Sequence, residues 1–439
     1  MIARTEFVRR RKRLMALAGK HSSIIVASAP PRARSNDAFY RYRQDSDLAY
    51  LTGFSEADAV LVLVPGRSAG EAILFCRERE RERERWEGEL LGIERAPAVL
   101  KVDHAFPIED IDEILPGLIE GRERVYYAFG RDPEFDGRVL GWIHRLQGPQ
   151  RRPARAPESI VALGHLLHEQ RLIKSKGEIR LLREAADISC AAHVRVMRVC
   201  RPGLSENQIE AEILHTFHSR RAVAAYEPSV AAGVSACILH YRRNRGALKN
   251  GELLLVDAGA EVECYASDIT RTIPINGRFS PAQRELYQLV LEAQLAAIAA
   301  ARPGLPWSGI HDAAVQVIAR GLVALGLIKG SVKQCLKKHS YTRYFMHKTG
   351  HWLGMDVHDV GDYRIDGASR LLEAGMVLTV EPGIYVPADA RYVPEQFRGI
   401  GIRIEDEVLV TKGDPEVLTE KVPKTILEIE ATMRAPLCN

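Results

Sequence analysis

Five side chains able to bind a metal ion stand in short, mostly apolar segments of the chain. They are Asp257, Asp268, His351, Glu381 and Glu405. Asp257 ends the run Leu-Leu-Leu-Val-Asp and Glu381 ends Val-Leu-Thr-Val-Glu, patterns typical of core strands. Carboxylates are rarely buried unless they are paired, hydrogen-bonded or bound to a metal. A pair of divalent cations would offset the cost of burying four of them, so the pattern indicates a dinuclear metal hydrolase.

The spacing of the two aspartates predicts how they meet. Asp268 follows Asp257 by eleven residues, with Gly259 and the polar stretch 261–267 between two strand-like runs. This is typical of an antiparallel hairpin with a short loop, in which cross-strand neighbours lie within about 5 Å. Two unpaired carboxylates that close would repel, and one would take up a proton. We therefore expect the two aspartates to share a metal pair.

The donor set limits which ions fit. Four carboxylates and one imidazole, without a thiolate, favour hard or borderline cations. Mn²⁺ is the first choice, with Co²⁺, Fe²⁺ and Zn²⁺ as alternatives. Two such ions close together would hold a bridging water, lower its pKa and polarise a carbonyl.

Three further histidines form a second group. His347 precedes His351 by four residues, His358 follows it by seven, and His240 lies in the strand-like run Cys-Ile-Leu-His-Tyr. A lone histidine in an apolar segment is more often a core residue than a ligand. Three of them around one candidate ligand set favour substrate binding or proton transfer.

The elements that must position these residues fall into two groups. The first part of the chain alternates strands (23–29 and 59–64) with helices such as the basic segment 6–17. Residues 147–157 are rich in Gly, Pro and Arg, as expected of a surface connection. We place the domain boundary near residue 170, which gives domains 1–170 and 171–439.

Long helices and strands alternate in the second domain. We predict helices over 177–199, 281–301 and 308–325, and a further helix that begins after the N-cap Ser205. The sequence Arg-Pro-Gly-Leu follows the first helix and again the second, each time before another helix. Either the domain contains an internal duplication, or a common helix stop recurs by chance.

Composition excludes several classes of protein. A chain of 439 residues predicts two domains, and 46% hydrophobic with 27% charged residues is ordinary for a globular enzyme. A net charge of +4 predicts no strong attraction to nucleic acid. The seven cysteines include no CxxC pair, which argues against a disulfide framework or a zinc–thiolate site. With no apolar run of membrane-spanning length and no signal peptide in Met-Ile-Ala-Arg-Thr-Glu, we expect no membrane partner and a cytoplasmic location.

Several segments together resemble a known family. They are Cys-Ile-Leu-His-Tyr, Val-Asp-Ala-Gly, Ser-Asp-Ile-Thr-Arg-Thr, His-Trp-Leu-Gly-Met-Asp-Val-His-Asp, Thr-Val-Glu-Pro-Gly-Ile-Tyr and Gly-Ile-Gly-Ile-Arg-Ile-Glu-Asp. They are similar to those of aminopeptidase P, the Xaa-Pro aminopeptidase of the pita-bread metallopeptidase family, in the same order. Residues 42–54 resemble the family's N-terminal domain. The resemblance implies an α/β, creatinase-like N-terminal domain followed by an α+β pita-bread metallopeptidase domain.

The resemblance also implies roles for the metal-binding residues. Asp257 and Asp268 would bind the metals, His351 and Glu381 would bind one ion, and Glu405 would span both. Glu381 would in addition act as general base. The reaction would be release of the first residue from a peptide with proline in second position, by a hydroxide that the two metals activate.

Other residues receive roles from the same resemblance. His240, His347 and His358 would line the substrate site, with His358 near the scissile carbonyl. Arg403 and Tyr385 would bind substrate, with Arg403 shaping the pocket for proline. Trp86 follows the Arg/Glu run 77–85, which by pattern alone is a solvated segment. The resemblance implies that Trp86 reaches the active site of a neighbouring subunit in a dimer or tetramer and binds substrate there.

One position departs from the family pattern. Lys348 stands where a small residue is common, which places a long cation near the cleft. Prolidase, which accepts only dipeptides, is the nearest alternative activity. Methionine aminopeptidase fits the large N-terminal domain less well, and metal-free creatinase does not fit a complete ligand set. A non-catalytic pita-bread binding protein would usually lack ligands, and none is lacking here.

Overall fold

The computed structural model describes residues 1–147 and 155–435, apart from the side chain of Arg83. Two compact units are present, Met1–Arg171 and Leu172–Asn439. The connection expected over 147–157 includes residues 148–154, which lie outside the described residues. In the described part of the chain, no helix is both long and apolar enough to cross a membrane.

A mixed sheet forms the centre of the first unit. Its strands are β1 Ser22–Ala27, β4 Val60–Leu63, β5 Ala72–Cys76, β6 His104–Pro107, β7 Arg124–Tyr127 and β8 Ser159–Ala162, and β2 Ala33–Ser35 with β3 Ala38–Phe39 forms a separate hairpin. The six-stranded sheet has the order β6-β5-β4-β1-β7-β8. The β1–β7, β7–β8 and β5–β6 pairs are parallel, whereas β4 runs antiparallel to both neighbours. Both strands predicted here are confirmed, as β1 and β4.

The first unit also contains helices, some of which pack on this sheet. They are α1 Arg4–Ala18, α2 Ser46–Thr52, α3 Arg81–Glu87, α4 Gly92–Leu100, α5 Ile111–Ile119, α6 Pro133–Gln147 and α7 Gly164–Leu172, with a 3₁₀ helix at Ile108–Asp110. Buried side chains of the sheet, such as Ile25, Val62 and Phe75, pack with Ile111 and Trp142 of α5 and α6 in one core. The α/β class expected for the first domain is confirmed, as is the helix predicted over 6–17.

The second unit combines long helices with small antiparallel sheets. Its helices are α8 Lys176–Val199, α9 Glu206–Ser219, α10 Pro281–Ala299, α11 Trp307–Ala324, α12 Val332–Lys337 and α13 Ile426–Arg434, with 3₁₀ helices at Gly233–Cys237, Ser340–Arg343 and Glu395–Phe397. Its strands are β9 Val223–Ala224, β10 Ser229–Ala232, β11 Leu253–Asp257, β12 Ala260–Val262, β13 Tyr265–Ala266, β14 Thr270–Pro274, β15 Arg364–Ile365, β16 Ala368–Ser369, β17 Val377–Val380, β18 Gly383–Tyr385, β19 Gly401–Arg403, β20 Asp406–Leu409 and β21 Glu416–Val417. The predicted long helices are confirmed as α8, α10 and α11.

Local sequence explains where these helices begin. Ser175 and Glu178 form a capping box at the start of α8, and Ser280 with Gln283 forms another at α10. In each, side chains satisfy amides of the first turn that have no partner within the helix. Helix α9 begins directly after Ser205, as predicted.

The same order of elements occurs twice in the second unit. Helices α8 and α9 precede the sheet β10-β11-β14, and α10 and α11 precede the sheet β17-β20-β21. This order is what an internal duplication would produce. Strand breaks in both halves carry the candidate ligands.

The connection between the first two ligands differs from the expected short loop. Strands β11 and β14 do pair antiparallel, with Asp257 opposite Thr270. Between them, however, β12 and β13 form a hairpin of their own in a sheet with β9. The chain doubles back closely at Gly259, where a Cβ atom would lie 1.7 Å from the carbonyl oxygen of Ser267. Only glycine allows this approach, and it brings Asp268 back beside β11.

Candidate metal centre

The five predicted ligands line one cavity of about 530 Å³ in the second unit. Asp268, His351 and Glu405 are the tightest group, with ligand atoms within 4.8 Å of one another. Glu381 joins them, because its Oε1 lies 3.7 Å from His351 Nε2. Asp257 is connected to the group through its neighbours, as described below.

Interruptions of the strands place these side chains. Asp257 ends β11, Glu381 follows β17, and Glu405 lies between β19 and β20. Strand β17 ends at Val380, and Pro382, which has no N–H to donate to a sheet, separates Glu381 from the start of β18 at Gly383. His351 lies outside regular strands, beside an isolated bridge between Trp352 and β17. Of the five residues, only Asp257 lies within a strand, whereas Asp268, Glu381 and Glu405 lie in the short connections between strands. The prediction that these segments are strands is therefore correct at Asp257 and wrong at the other four positions.

His351 is oriented by its backbone surroundings. Its Nδ1 donates to the carbonyl of Trp352 at 3.0 Å, so Nε2 is the atom left for a metal. That Nε2 lies 3.4 Å from Asp268 Oδ2. Gly350 permits the approach of the segment to β17, because a Cβ there would lie 1.9 Å from the carbonyl oxygen of Thr379. The segment is thus fixed with the imidazole facing the carboxylates.

Hydrogen bonds also fix Glu405 and Asp268. The Thr270 hydroxyl donates to Glu405 Oε2 at 2.6 Å, and Arg271 Nη1 donates to the Glu405 carbonyl at 2.5 Å. The amide of Asp268 donates to Glu407 Oε1 at 3.0 Å, and burial raises the pKa of Glu407 to about 8. Neighbours in the two sheets therefore hold these ligands by backbone and side chain together.

Tyr226 is part of the centre, although its sequence context did not single it out. Its hydroxyl lies 2.6 Å from Asp257 Oδ1 and also contacts Asp268 Oδ1. With one hydrogen, it donates to one aspartate at a time. Burial and the charges of Asp257 and Asp268 raise the pKa of Tyr226 well above its ordinary value, so the phenol stays neutral and remains a donor.

The electrostatics of the cluster favour a bound cation. Burial and the neighbouring charges of Asp268 and Glu381 raise the pKa of Glu405 well above its usual range. Burial raises the pKa of Asp257, although Arg403 opposes this. Carboxylates so close together repel when all are ionised, and divalent cations would remove that repulsion. The oxygen-rich set with one imidazole thus fits divalent metal ions of the hard or borderline kind.

Glu381 has the properties of a group that can exchange a proton. Burial raises its pKa to about 7, against the lowering effects of His351 and Arg403. His351 behaves oppositely: burial disfavours its charged form, but the hydrogen bond and charge of Asp268 prevail and raise its pKa to about 9.

The three other predicted histidines all line the cavity. The ring of His358 lies 4.2 Å from that of His351, and burial and the proximity of His351 lower its pKa. Burial and Arg403 lower the pKa of His347 to about 4, so it is neutral. Its Nδ1 donates to the Lys348 carbonyl at 2.7 Å, and Nε2 accepts from the Tyr385 hydroxyl at 2.9 Å. His240 is exposed at the cavity surface.

Arg403 connects the metal centre with Tyr385. Its Nη2 donates to Asp257 Oδ2 at 2.5 Å, its Nη1 to the Tyr385 hydroxyl at 3.1 Å, and its Nε to Thr270 Oγ1 at 3.0 Å. Arg403 lines the cavity, whereas Tyr385 is 1% exposed and lies behind Arg403 and His347. In this geometry Tyr385 orients two lining side chains, and its direct contact with substrate stays a prediction.

Trp86 and Lys348 are the remaining residues singled out from the sequence. Trp86 is on α3 of the first unit, where its side chain is 87% exposed. Lys348 lines the cavity and is exposed. Within the second unit, the structure brings together every predicted site residue at the cavity except Tyr385, which is covered.

Comparison with known proteins gives matches over nearly the whole chain. The model of metallopeptidase family M24 matches residues 180–412, and that of the aminopeptidase P N-terminal domain matches residues 7–126. The Xaa-Pro aminopeptidase of Escherichia coli (strain K12) is 43% identical over 436 residues, or 99% of this chain and 98% of the relative.

Solved structures agree with these matches. Pseudomonas aeruginosa aminopeptidase PepP has a TM-score of 0.97 at 54% identity, with 98% of each chain covered. Zn-substituted E. coli aminopeptidase P in complex with product has a TM-score of 0.96 at 43% identity, again with 98% of each chain covered.

Proposed function

Because the chain belongs to metallopeptidase family M24, we propose that it is an aminopeptidase. It removes the first residue of peptides that have proline in second position. The N-terminal domain match and relatives named Xaa-Pro aminopeptidase over almost the full length support this specificity. The observation that carries the proposal is the convergence of all five ligands with three histidines and Arg403 on one cavity. Domain 1–170 is the proposed N-terminal domain and 171–439 the proposed catalytic domain.

The catalytic residues have complementary tasks. When bound, two divalent ions would supply an activated water and polarise the scissile carbonyl. Glu381, whose Oε1 lies 3.7 Å from His351 Nε2, takes the proton of the attacking water and passes it to the departing proline nitrogen. His358 donates to the oxygen that gains negative charge. Arg403, held by Asp257 and Tyr385, presents a fixed surface to the proline ring.

A tertiary amide explains why such a dedicated site is needed. The bond before proline has no N–H, which many peptidases use as a hydrogen-bond donor. The site must therefore recognise the ring by shape. We propose that neutral His347, whose position Tyr385 fixes, forms part of that surface with Arg403 and His240.

Three finer features complete the proposal. Mn²⁺ is the proposed native ion, with Co²⁺, Fe²⁺ or Zn²⁺ as alternatives, because four carboxylates outnumber the single imidazole. The protein acts as a dimer or tetramer, for which the exposed Trp86 is a candidate contact. None of the six described cysteines forms a disulfide bond, which suits a reducing, cytoplasmic location.

A peptide panel tests the activity. Purified protein is incubated with Mn²⁺, Co²⁺ or Zn²⁺ and with Arg-Pro-Pro, Ala-Pro and a peptide that lacks proline at position two. We expect efficient release of arginine from Arg-Pro-Pro and none from the peptide without proline. Cleavage of Ala-Pro alone would instead identify a prolidase, and absence of both metal binding and turnover would identify a non-catalytic binding protein.

A further inference from the structure

Two cations line the metal-site cavity and take no part in the proposed chemistry. Arg242 and Lys348 are both exposed and belong to different segments of the chain. Neither makes an ion pair within the described part of the chain. Two unpaired, exposed cations in the lining of a substrate cavity are available to an anionic ligand.

Arg242 projects from an anchored loop. Its neighbour Tyr241 is buried and donates its hydroxyl to Glu206 Oε2 at 2.8 Å. Asn244, two residues after Arg242, accepts from the Val230 amide at 3.0 Å and donates to the Pro228 carbonyl at 2.8 Å. The backbone of the loop is therefore fixed on both sides of the arginine, and only its side chain is free.

Lys348 is held in the same way. His347 before it is bonded to Tyr385, and Thr349 after it is 1% exposed. The Thr349 carbonyl accepts from the Glu381 amide at 2.8 Å, and its hydroxyl lies 2.8 Å from His311 Nδ1. The ammonium group thus extends from a rigid base, one residue from a wall of the proposed proline site.

The charges of the cavity are unevenly distributed. Four of the five lining carboxylates are candidate metal ligands, and the fifth, Glu227, makes no ion pair with Arg242 or Lys348 among the described residues. Bound metal would neutralise the ligand carboxylates. The exposed cations then leave the outer part of the cavity with a surplus of positive charge. A peptide cut at its first bond near the metals must extend its remaining residues toward this outer part.

We propose that Arg242 and Lys348 form a carboxylate subsite for the part of the peptide beyond proline. The subsite accepts the terminal carboxylate of a tripeptide or an acidic side chain at the third position, since both present the same group. Arginine can bind a carboxylate through two parallel hydrogen bonds, and lysine adds a point charge. The inference rests on the proposed function and specifies its preferred substrates.

Matched substrates test the subsite and separate the two carboxylate sources. With Mn²⁺-loaded enzyme at low salt, kcat/KM is measured for Ala-Pro-Gln, Ala-Pro-Gln amide and Ala-Pro-Glu amide. The first pair isolates the terminal carboxylate, and the two amides isolate the side-chain carboxylate. We expect kcat/KM to be about fivefold higher for at least one carboxylate substrate than for its matched amide. This preference should fall with added salt, because Arg242 and Lys348 are exposed.

Variants assign the preference to the two cations. For each substrate pair, the ratio compares kcat/KM with and without the carboxylate. In the double variant Arg242→Gln, Lys348→Gln this ratio should fall to about one, and the change should lie in KM rather than in kcat. Arg243→Gln is the matched control, since Arg243 is equally exposed but does not line the cavity. It should keep the wild-type ratio.

Three outcomes would overturn the subsite. They are a wild-type ratio of one, an unchanged ratio in the double variant, and an equal loss in the Arg243→Gln control. Cleavage of all three peptides at equal rates removes the subsite and leaves the proposed function standing. Failure to cleave any of them removes both.

Discussion

Glu381 has two roles in the site, because it is a candidate metal ligand and also the proposed general base. A positioned general base contributes about 10²- to 10⁴-fold to the rate. Glu381→Ala removes the base and a ligand, so kcat for Arg-Pro-Pro with Mn²⁺ should fall by about 10³-fold or more. Product release followed by chromatography measures this, and near-normal turnover would exclude the proposed mechanism.

Tyr226 offers a test of metal binding at the same scale. Its hydroxyl contacts both aspartates, so Tyr226→Phe leaves them without a shared donor while keeping the ring. Loss of a group that orients metal ligands weakens metal binding by about 10- to 100-fold. Titration against a chelating dye measures the affinity, and excess Mn²⁺ should restore much of the activity. An unchanged Mn²⁺ affinity would show that the hydroxyl does not support the ligands.

The sequence identifies some site residues and hides others for a physical reason. Asp257 and Glu381 stand out because a carboxylate at the end of an apolar run is costly without a cation. No such sequence signal marks Tyr226, since tyrosine is common both in protein interiors and at surfaces. Its importance arises from partners 31 and 42 residues further along the chain, which only the fold brings together.

At the scale of elements, β14 and β20 are joined by a buried ionic network. Asp406 accepts from Arg271 Nη2 at 2.7 Å and from Lys424 Nζ at 2.7 Å, and also from Thr419 and Gln294. Burial opposes its ionisation, yet Arg271 and Lys424 lower its pKa to about 2. Arg271 in turn holds the Glu405 carbonyl. The network therefore ties a metal ligand to the chain that leads into α13.

Breaking this network should be costly. Asp406→Asn leaves Arg271 and Lys424 without a buried anion, which should lower the free energy of unfolding by about 3–5 kcal/mol. Lys421→Ala is a control, because its pair with Asp187 is exposed, and it should change stability by about 1 kcal/mol or less. Urea denaturation measures both. Equal effects of the two variants would contradict the role given to the network.

His193 makes the packing of α8 on the sheet sensitive to pH. It is buried, its Nε2 donates to the Ala258 carbonyl at 3.0 Å, and burial lowers its pKa to about 4. In the unfolded chain the pKa of His193 is near 6.5. Between about pH 6.5 and pH 4, His193 is therefore protonated in the unfolded chain but neutral in the folded protein. Its contribution to stability is therefore complete above about pH 6.5 and is lost as the pH falls toward 4.

A variant isolates this contribution from other groups that titrate. His193→Gln keeps a hydrogen-bond donor but cannot be protonated. The loss of unfolding free energy between pH 7.5 and pH 4.5 should be smaller in the variant by about 2–3 kcal/mol. Denaturation at the two pH values measures the difference, and parallel pH profiles would show that His193 is protonated in the folded state.

Elements are predictable where the signal is local. Helical sequence patterns predict α8 and α10, the N-cap Ser205 predicts the start of α9, and apolar runs predict β1 and β4. The hairpin β12–β13 was missed, because strands of two or three residues carry too short an alternation. The Asp406 network was missed because Arg271 and Asp406 are 135 residues apart.

At the scale of the whole molecule, the order of motifs was more informative than any single motif. Two helix pairs, each followed by an antiparallel sheet, bring ligands from β11, β17 and the β19–β20 connection into one cavity. Each half supplies an incomplete donor set. Both sheets contribute to the site, and contacts from β14 and β20 hold its ligands, since Arg271 donates to the Glu405 carbonyl and Glu407 accepts from the Asp268 amide.

Trp86 carries the prediction that concerns assembly. A tryptophan that is 87% exposed leaves a large apolar surface in water, as expected of a residue that a partner covers. If Trp86 lies at a contact in the proposed oligomer, Trp86→Ala should shift sedimentation toward smaller species and raise KM for Arg-Pro-Pro by about tenfold. Tyr392→Ala is the matched control, since that aromatic residue is 85% exposed and has no assigned role. If Trp86→Ala has the same sedimentation and the same KM as both the control and the wild type, Trp86 does not lie at the contact.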